Sequence, residues 1–162
     1  MPDVNHRDSY FTNSDIDWFC RVNGVNIHVA SMGHSIPERV MQSLPAIYEK
    51  VSVMEMTAWT GRNGMWYNEE LLRTMLRLES PVEMGRYLTT FVVMARKGFY
   101  SFAPLTTDPT DNDYYLMAKP AAYKDFELNG IVSKNVEHFE INEVGTFTPV
   151  RIVKLISQGD EA

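Results

Sequence analysis

The sequence WFCRVNGVNIHVA at residues 18–30 carries the strongest structural signal in the chain. Asn23 and Gly24 lie between two runs of alternating residues, and both can adopt the positive φ that a type I′ hairpin turn requires. A two-residue turn fixes the register of the strands, so we predict an antiparallel hairpin with an apolar face. That face pairs Val22 with Val25, Cys20 with Ile27, and Trp18 with Val29. The second face pairs Arg21 with Asn26 and Phe19 with His28.

Downstream of the hairpin, a Ser-x-x-Glu pattern at Ser35 to Glu38 indicates a helix start of the capping-box type. Apolar residues at helical spacing continue from there to Val51, which predicts an amphipathic helix. Pro45 lies within this pattern, where a proline removes an amide donor and clashes with the preceding turn. We therefore expect a kink at this position or two short helices.

A stronger helix signal occurs at Ser80-Pro81-Val82-Glu83, where proline occupies the first helical position. The stripe of this helix is Met84, Tyr87, Leu88, Phe91 and Ala95. Gly98 supplies its C-terminal stop. Between the two helices, Asn68 can cap a further helix that continues to about Leu78.

The remaining chain has the pattern of strands. Residues 99–104 and 113–119 flank an acidic, Thr-rich loop, which predicts a hairpin with an exposed tip. Asn129-Gly130 predicts another tight hairpin turn, and residues 136–141 could pair with residues 146–156. Because hairpins dominate and βαβ alternation is absent, we predict an α+β fold with a mainly antiparallel sheet.

The domain organisation predicted from the sequence is simple. About three helices cluster in residues 36–97, and no linker or internal repeat divides the chain. We expect a flexible N-terminal tail at residues 1–14, one α+β domain at residues 15–157, and a flexible C-terminus at residues 158–162.

Composition and charge exclude several classes of protein. The 162 residues include 15 Lys and Arg against 21 Asp and Glu, a net charge of −6, so binding to nucleic acid or to an anionic membrane is disfavoured. The single cysteine, Cys20, cannot form an internal disulfide, and no apolar run approaches the roughly 20 residues that cross a bilayer. With no signal-peptide pattern visible, these features predict a cytoplasmic location.

One candidate site is the junction between the predicted hairpin and the first helix. A strand leads there into a small-residue loop that opens a helix, a place where free amides and the helix dipole favour an anion. The predicted ligand-binding residues are Ser31, Gly33, His34 and Ser35. An alternative catalytic interpretation uses His28, Ser31 and His34, with a histidine as general base for a serine. The same residues also fit a helix cap, a turn and ordinary hydrogen-bonded histidines.

A second candidate site is the aromatic segment at residues 57–67. Its predicted partner-binding residues are Trp59, Arg62, Trp66 and Tyr67, which belong to the side-chain types that dominate protein interfaces. The competing interpretation is a hairpin whose tryptophans cover the core. The sequence contains no convergent set of metal ligands, and we predict neither a metal nor a cofactor.

These observations favour a small acidic binding protein over an enzyme. The leading hypothesis is contact with a protein partner through the aromatic segment, in an inhibitor, immunity or accessory role, with homo-oligomerisation left open. The alternative hypothesis is an enzyme or binder of a small anionic or nucleotide ligand that uses the junction at residues 28–36.

Overall fold

The computed structural model describes residues 16–34, 36–56, 66–106, 108, 113–120, 126–134 and 144–151. Over these residues the chain forms six strands and three helices. In chain order they are β1 (Asp17–Val22), β2 (Val25–Ala30), α1 (Glu38–Ser52), β3 (Trp66–Tyr67), α2 (Glu69–Met75), α3 (Pro81–Arg96), β4 (Tyr100–Ala103), β5 (Tyr115–Lys119) and β6 (Ser133–Lys134).

The six strands form one sheet in the order β3-β5-β4-β2-β1-β6. Three pairings are antiparallel, namely β1 with β2, β4 with β5, and β3 with β5. Two pairings are parallel, β2 with β4 and β1 with β6. The predicted α+β fold with a mainly antiparallel sheet is confirmed.

The N-terminal hairpin forms with the predicted register along its whole length. Asn23 and Gly24 have φ values of 50° and 79°. Both are positive, as the type I′ turn requires. The predicted apolar face lies in the largest core cluster. Phe19 and His28 on the second face are buried as well, because β1 and β2 lie inside the sheet and helices cover that side.

The start of α1 differs from the prediction. Pro37 is the N-cap, and no side chain among the described residues caps the helix; Ser35 lies outside them. Proline disfavours helical backbone at the residue before it, Ile36, whose side chain is buried in the core. The chain therefore stays extended up to Pro37.

Of the two outcomes expected at Pro45, the two short helices are wrong, since α1 runs through this residue as one helix of 15 residues, and the kink stays a prediction. Pro45 lies on the exposed side of the helix. An interior proline costs about 3 kcal/mol. Burial contributes about 1.5–3 kcal/mol for each large apolar side chain, so the buried stripe of α1 outweighs that cost. The stripe consists of Val40, Leu44, Ile47 and Val51.

The predicted caps of α2 and α3 are confirmed. The Asn68 side chain accepts a hydrogen bond from the Leu71 amide at 3.2 Å, and Ser80 Oγ accepts from the Val82 and Glu83 amides. However, α2 ends at Met75, three residues earlier than predicted, and Arg77 then adopts a φ of 55°.

Gly98 ends α3 as predicted. Its φ is 103°, and a Cβ there would lie 2.9 Å from the Phe126 ring. Both the positive φ and the close approach therefore require glycine. The buried stripe of α3 contains Met84, Leu88, Phe91 and Ala95, while Tyr87 is half-buried.

The strand predictions in the C-terminal half hold in part. Strands β4 and β5 pair as predicted, and Asn129-Gly130 forms a turn in which the Ile131 amide donates to the Leu128 carbonyl. The hairpin predicted there is wrong, because the following β6 pairs in parallel with β1. Residues 136–141 lie outside the described part. Within the described residues 146–151, Val150 pairs in a single bridge with Tyr114.

The helices pack so that both faces of the sheet are buried. Helix α3 covers β4 and β5, where Leu88 and Phe91 join Met117 in one core cluster. Helix α1 packs along β1 and contributes to the clusters on both sides. Among the described residues, none of the helices is both long and apolar enough to span a bilayer.

Candidate functional site

The junction after β2 turns its polar side chains into the protein. Ser31 and His34 are at most 1% exposed. Ser31 Oγ accepts a hydrogen bond from the Ile16 amide at 2.9 Å, and His34 Nε2 donates to the Thr106 carbonyl at 2.9 Å. Gly33 has a φ of 85° and completes the turn. These predicted ligand-binding groups therefore join the loop to neighbouring segments of the chain.

The donor role of His34 Nε2 fixes the state of the other ring nitrogen. A carbonyl only accepts, so Nε2 carries the hydrogen and Nδ1 is left as an acceptor in the neutral ring. Within the described residues this Nδ1 has no hydrogen-bond partner. The imidazole is nevertheless closed to solvent, which gives a ligand no route to it in this conformation.

His28 belongs to a different arrangement from the one that the sequence suggests. Its Nδ1 lies 2.5 Å from Ser101 Oγ, and its Nε2 lies 3.0 Å from Asp17 Oδ1. A carboxylate accepts hydrogen bonds, so Nε2 donates to Asp17, and in the neutral ring Nδ1 then accepts from the Ser101 hydroxyl. The three side chains thus have the order Asp–His–Ser that hydrolases use to activate a serine, but the ring nitrogens are exchanged, since in the serine-protease triad Nε2 faces the serine and Nδ1 faces the carboxylate.

This Asp–His–Ser group is sealed against a substrate. His28 and Ser101 are fully buried, and the His28 ring packs against Phe19 and Phe91 with centroid distances of 5.3 and 6.1 Å. Asp17 has the side chain that reaches solvent, with 40% of it exposed. A nucleophilic serine must contact substrate, whereas here the serine is the innermost member. The geometry favours a structural role that ties β1, β2 and β4 together.

Asp17 and Ser101 are partners of His28 that the sequence does not indicate. Ser101 is 73 residues away and becomes a neighbour because β2 and β4 run in parallel with His28 opposite Ser101. No local pattern signals such a pairing. The sequence instead suggests Ser31, which is close in the chain.

The aromatic segment is described only at its end. Trp59 and Arg62 lie outside the described residues, while Trp66 and Tyr67 form β3, the terminal strand of the described sheet. Both side chains are half-buried. Trp66 packs on the core cluster of the hairpin, and Tyr67 packs on the cluster that contains α3. Lys119 places its Nζ 5.5 Å from the Trp66 ring centroid. This distance is within the range of a cation–π contact.

Next to Tyr67 lies a groove of about 440 Å³, which we call the β3–α3 groove. The Tyr67 ring and the α3 side chains of Met84, Leu88, Val92 and Val93 make its lining mainly apolar. Pro81, Gly85 and Thr89 of α3 complete that side, and Glu69 of α2 is the charged group among the lining residues. The sequence does not indicate this groove, because only the buried stripe of α3 is visible as a pattern.

Gly85 leaves an open space in the lining of the β3–α3 groove. It is an exposed residue in the second turn of α3. A Cβ built there would meet no heavy atom of the described residues within 4 Å, apart from its chain neighbours and the backbone of its own helix. Its φ is not positive. Glycine in a helix interior costs about 0.5–1 kcal/mol relative to alanine. Neither the backbone nor crowding by the described residues therefore explains glycine at this position.

A second depression, of about 350 Å³, shares Tyr67 and Glu69 with the groove and is polar. Trp66, Glu70 and Arg73 line it. Arg73 Nη2 contacts Glu69 Oε1 at 2.5 Å in an exposed ion pair of i,i+4 spacing. The first turn of α2 thus contributes to both an apolar groove and a polar depression.

The other reactive groups among the described residues offer no further site. Cys20 is fully buried, and burial raises the pKa of its thiol well above the ordinary value, which makes it a poor nucleophile. In the part of the chain that the structure describes, no group of three or more His, Cys, Asp or Glu side chains is placed to hold a metal ion.

Comparisons with known proteins do not indicate a function, so any function must be inferred from the geometry of the structure. The chain matches no protein-family model, and neither a curated protein nor a solved structure shows significant similarity to it.

Proposed function

We propose that the protein binds another protein through β3 and the adjoining β3–α3 groove. The observation that supports this proposal is the combination of two half-buried aromatic residues, Trp66 and Tyr67, with an apolar groove of about 440 Å³ at the terminal strand of the described sheet. We include Trp59 and Arg62 in the proposed contact on the basis of the sequence prediction alone.

The energetics of such a contact depend on a few side chains. Tryptophan and tyrosine are enriched among interface residues whose truncation costs about 2 kcal/mol or more. A half-buried ring is held in place by the core residues that it contacts. Little conformational entropy is therefore lost when a partner covers the exposed part of the ring. A loss of about 2 kcal/mol corresponds to a thirtyfold change in Kd.

The net charge of the chain favours a protein partner over a nucleic acid. A net charge of −6 disfavours nucleic acid, whose phosphates require cationic side chains. The proposal is therefore an inhibitor, immunity or accessory protein acting in the cytoplasm on a protein partner.

Site-specific photo-crosslinking in the producing cell tests this proposal. A small diazirine amino acid replaces Thr89, which lines the groove, or Thr90, which is exposed on α3 outside the groove lining. We expect one dominant protein adduct from position 89 and none from position 90. Equal adducts from both positions, or no adduct from position 89, would contradict the proposal.

The second part of the test measures the affinity of the protein and its variants for the crosslinked partner, once that partner has been identified and purified. Trp66→Ala should weaken binding by about thirtyfold, whereas Tyr48→Ala, at an exposed aromatic residue on α1, should leave it within about twofold. Cooperative unfolding in urea shows whether each variant is folded. If Tyr48→Ala weakens binding as much as Trp66→Ala, the contact lies elsewhere.

A further inference from the structure

We infer that the β3–α3 groove receives a polypeptide segment that places a large apolar side chain over Gly85 and a lysine or arginine beside Glu69. This inference rests on the proposed function and names the partner chemistry that the groove selects. Two observations carry it, the open space over Gly85 and the charge at the groove's end.

The first observation is the helix position that is left empty. Alanine would fit at Gly85 without meeting a described atom beyond its chain neighbours and the backbone of its own helix, and it would favour the helix. Glycine instead keeps the surface of α3 low between the apolar side chains around it. A side chain at this position would project into the groove. The space is therefore matched to an atom group that comes from outside, and its neighbours Met84, Leu88 and Val92 make that group apolar.

The second observation is the charge at the groove's end. Among the described residues that line the groove, Glu69 bears the charge, and its side chain is 45% exposed. Arg73 contacts Oε1, which leaves Oε2 able to accept from a second cation. Glu70 follows on the same turn, so the first turn of α2 carries two carboxylates for one guanidinium. This charge suits a cationic group beside the apolar anchor and repels an anionic amphiphile.

The size of the groove fits side chains better than a folded element. Its volume is about 440 Å³. Pockets that enclose most of a small ligand have volumes of roughly 300 Å³ and above. The Thr89 hydroxyl donates to the Gly85 carbonyl at 2.8 Å, so this polar group has a partner before the groove is filled. An apolar anchor can enter without leaving it unpaired.

Selection from a random linear peptide display library on the purified full-length chain tests the inference. We expect the enriched peptides to share an aromatic residue, leucine or methionine within two positions of lysine or arginine. Gly85→Gln fills the space over the helix and should weaken the binding of a synthesised peptide by about tenfold or more. Glu69→Gln should weaken it by about three- to tenfold and reduce the dependence of Kd on salt.

Matched controls separate a blocked groove from a damaged fold. Thr90→Gln places the same side chain elsewhere on α3 and should leave the peptide Kd within about twofold. Glutamine has a higher helix propensity than glycine, so Gly85→Gln should melt at or above the temperature of the wild type. A Gly85→Gln protein that is folded and no longer binds peptide supports the inference.

Several outcomes would overturn it. They are the absence of enriched peptides, enrichment of acidic peptides, unchanged peptide affinity in Gly85→Gln, and a Gly85-dependent dimer, which would assign the groove to a second copy of the chain. Failure here remains distinct from failure of the proposed function. If Thr89 still gives a protein adduct while Gly85→Gln binds peptide normally, the proposed contact surface is retained. The assignment of an apolar anchor over Gly85 is then wrong.

Discussion

The junction after β2 and the β3–α3 groove differ in how their side chains are used. At the junction, Ser31 and His34 are buried and hydrogen-bonded to Ile16 and Thr106, so the fold itself uses these polar groups. In the groove, Gly85 leaves space that no described atom fills within 4 Å. Polar residues at a strand end therefore do not mark a site by themselves. Burial and bonding within the chain decide whether a surface is available to a ligand.

The strongest destabilisation is expected at His28, which is buried as the junction residues are. His28→Ala removes a buried ring and leaves the Ser101 hydroxyl without this partner. The free energy of unfolding should fall by about 3 kcal/mol or more. Urea denaturation followed by circular dichroism measures the loss. A loss below about 1 kcal/mol would show that the Asp–His–Ser group does not hold the strands together, and would reopen its functional interpretation.

A smaller loss is expected at the junction itself. Ser31→Ala removes the acceptor for the Ile16 amide. The free energy of unfolding should fall by about 1–2 kcal/mol. Thr90→Ala, at an exposed position of α3, is the control. It should change the free energy of unfolding by less than about 0.5 kcal/mol. If Ser31→Ala were as stable as the wild type, Ser31 would be available for a ligand and the contrast with the groove would fail.

The pH dependence of stability reports on Cys20, which lies inside the same hairpin. Burial raises the pKa of this thiol in the folded state, so the unfolded chain loses its proton first as the pH rises. Stability from this group is complete below the unfolded pKa of about 8.5 and is lost above it, by about 1.4 kcal/mol per pH unit until the folded pKa is reached. Urea denaturation between pH 8 and 9.5 should show this decline in the wild type, and the total decline over this range should be smaller by about 1.3 kcal/mol in Cys20→Ala. Equal slopes would mean that the hairpin interior is open to water.

The mildest change is a gain in stability at the groove. Gly85→Ala should raise the free energy of unfolding by about 0.5–1 kcal/mol, because alanine favours the helix. The added methyl group meets no described neighbour. Gly98→Ala is the matched control and should destabilise the fold, since its φ is 103° and Phe126 occupies the space. Thermal and urea unfolding measure both. A destabilised Gly85→Ala variant would show that glycine at this position serves the fold and not an occupant.

The features that can be predicted correctly are those set by neighbouring residues. Asn23-Gly24 determines a turn and, through it, a register, and Ser80 caps α3 with a hydroxyl placed two and three residues before the amides that it accepts from. At the start of α1 two local signals conflict, because Pro37 disfavours helical backbone at Ile36, whose side chain is also buried, and this outweighs the capping signal of Ser35 and Glu38.

The parts that could not be predicted depend on contacts between distant segments. The parallel pairing of β2 with β4 places Ser101 beside His28, and no pattern near either residue encodes it. The β3–α3 groove likewise requires β3 and α3 to be positioned by β5, which pairs with β3 and packs against α3. For this reason Trp66 and Tyr67 are recognisable as candidates from the sequence, whereas Gly85 is not.

The decisive experiment is photo-crosslinking from Thr89 in the producing cell, compared between the wild type and Gly85→Gln. We expect one dominant protein adduct in the wild type and its loss when a glutamine side chain fills the groove. An adduct of equal intensity in both proteins would contradict an anchor in the space over Gly85, and an equally strong adduct from Thr90 would contradict binding of a protein partner in the β3–α3 groove.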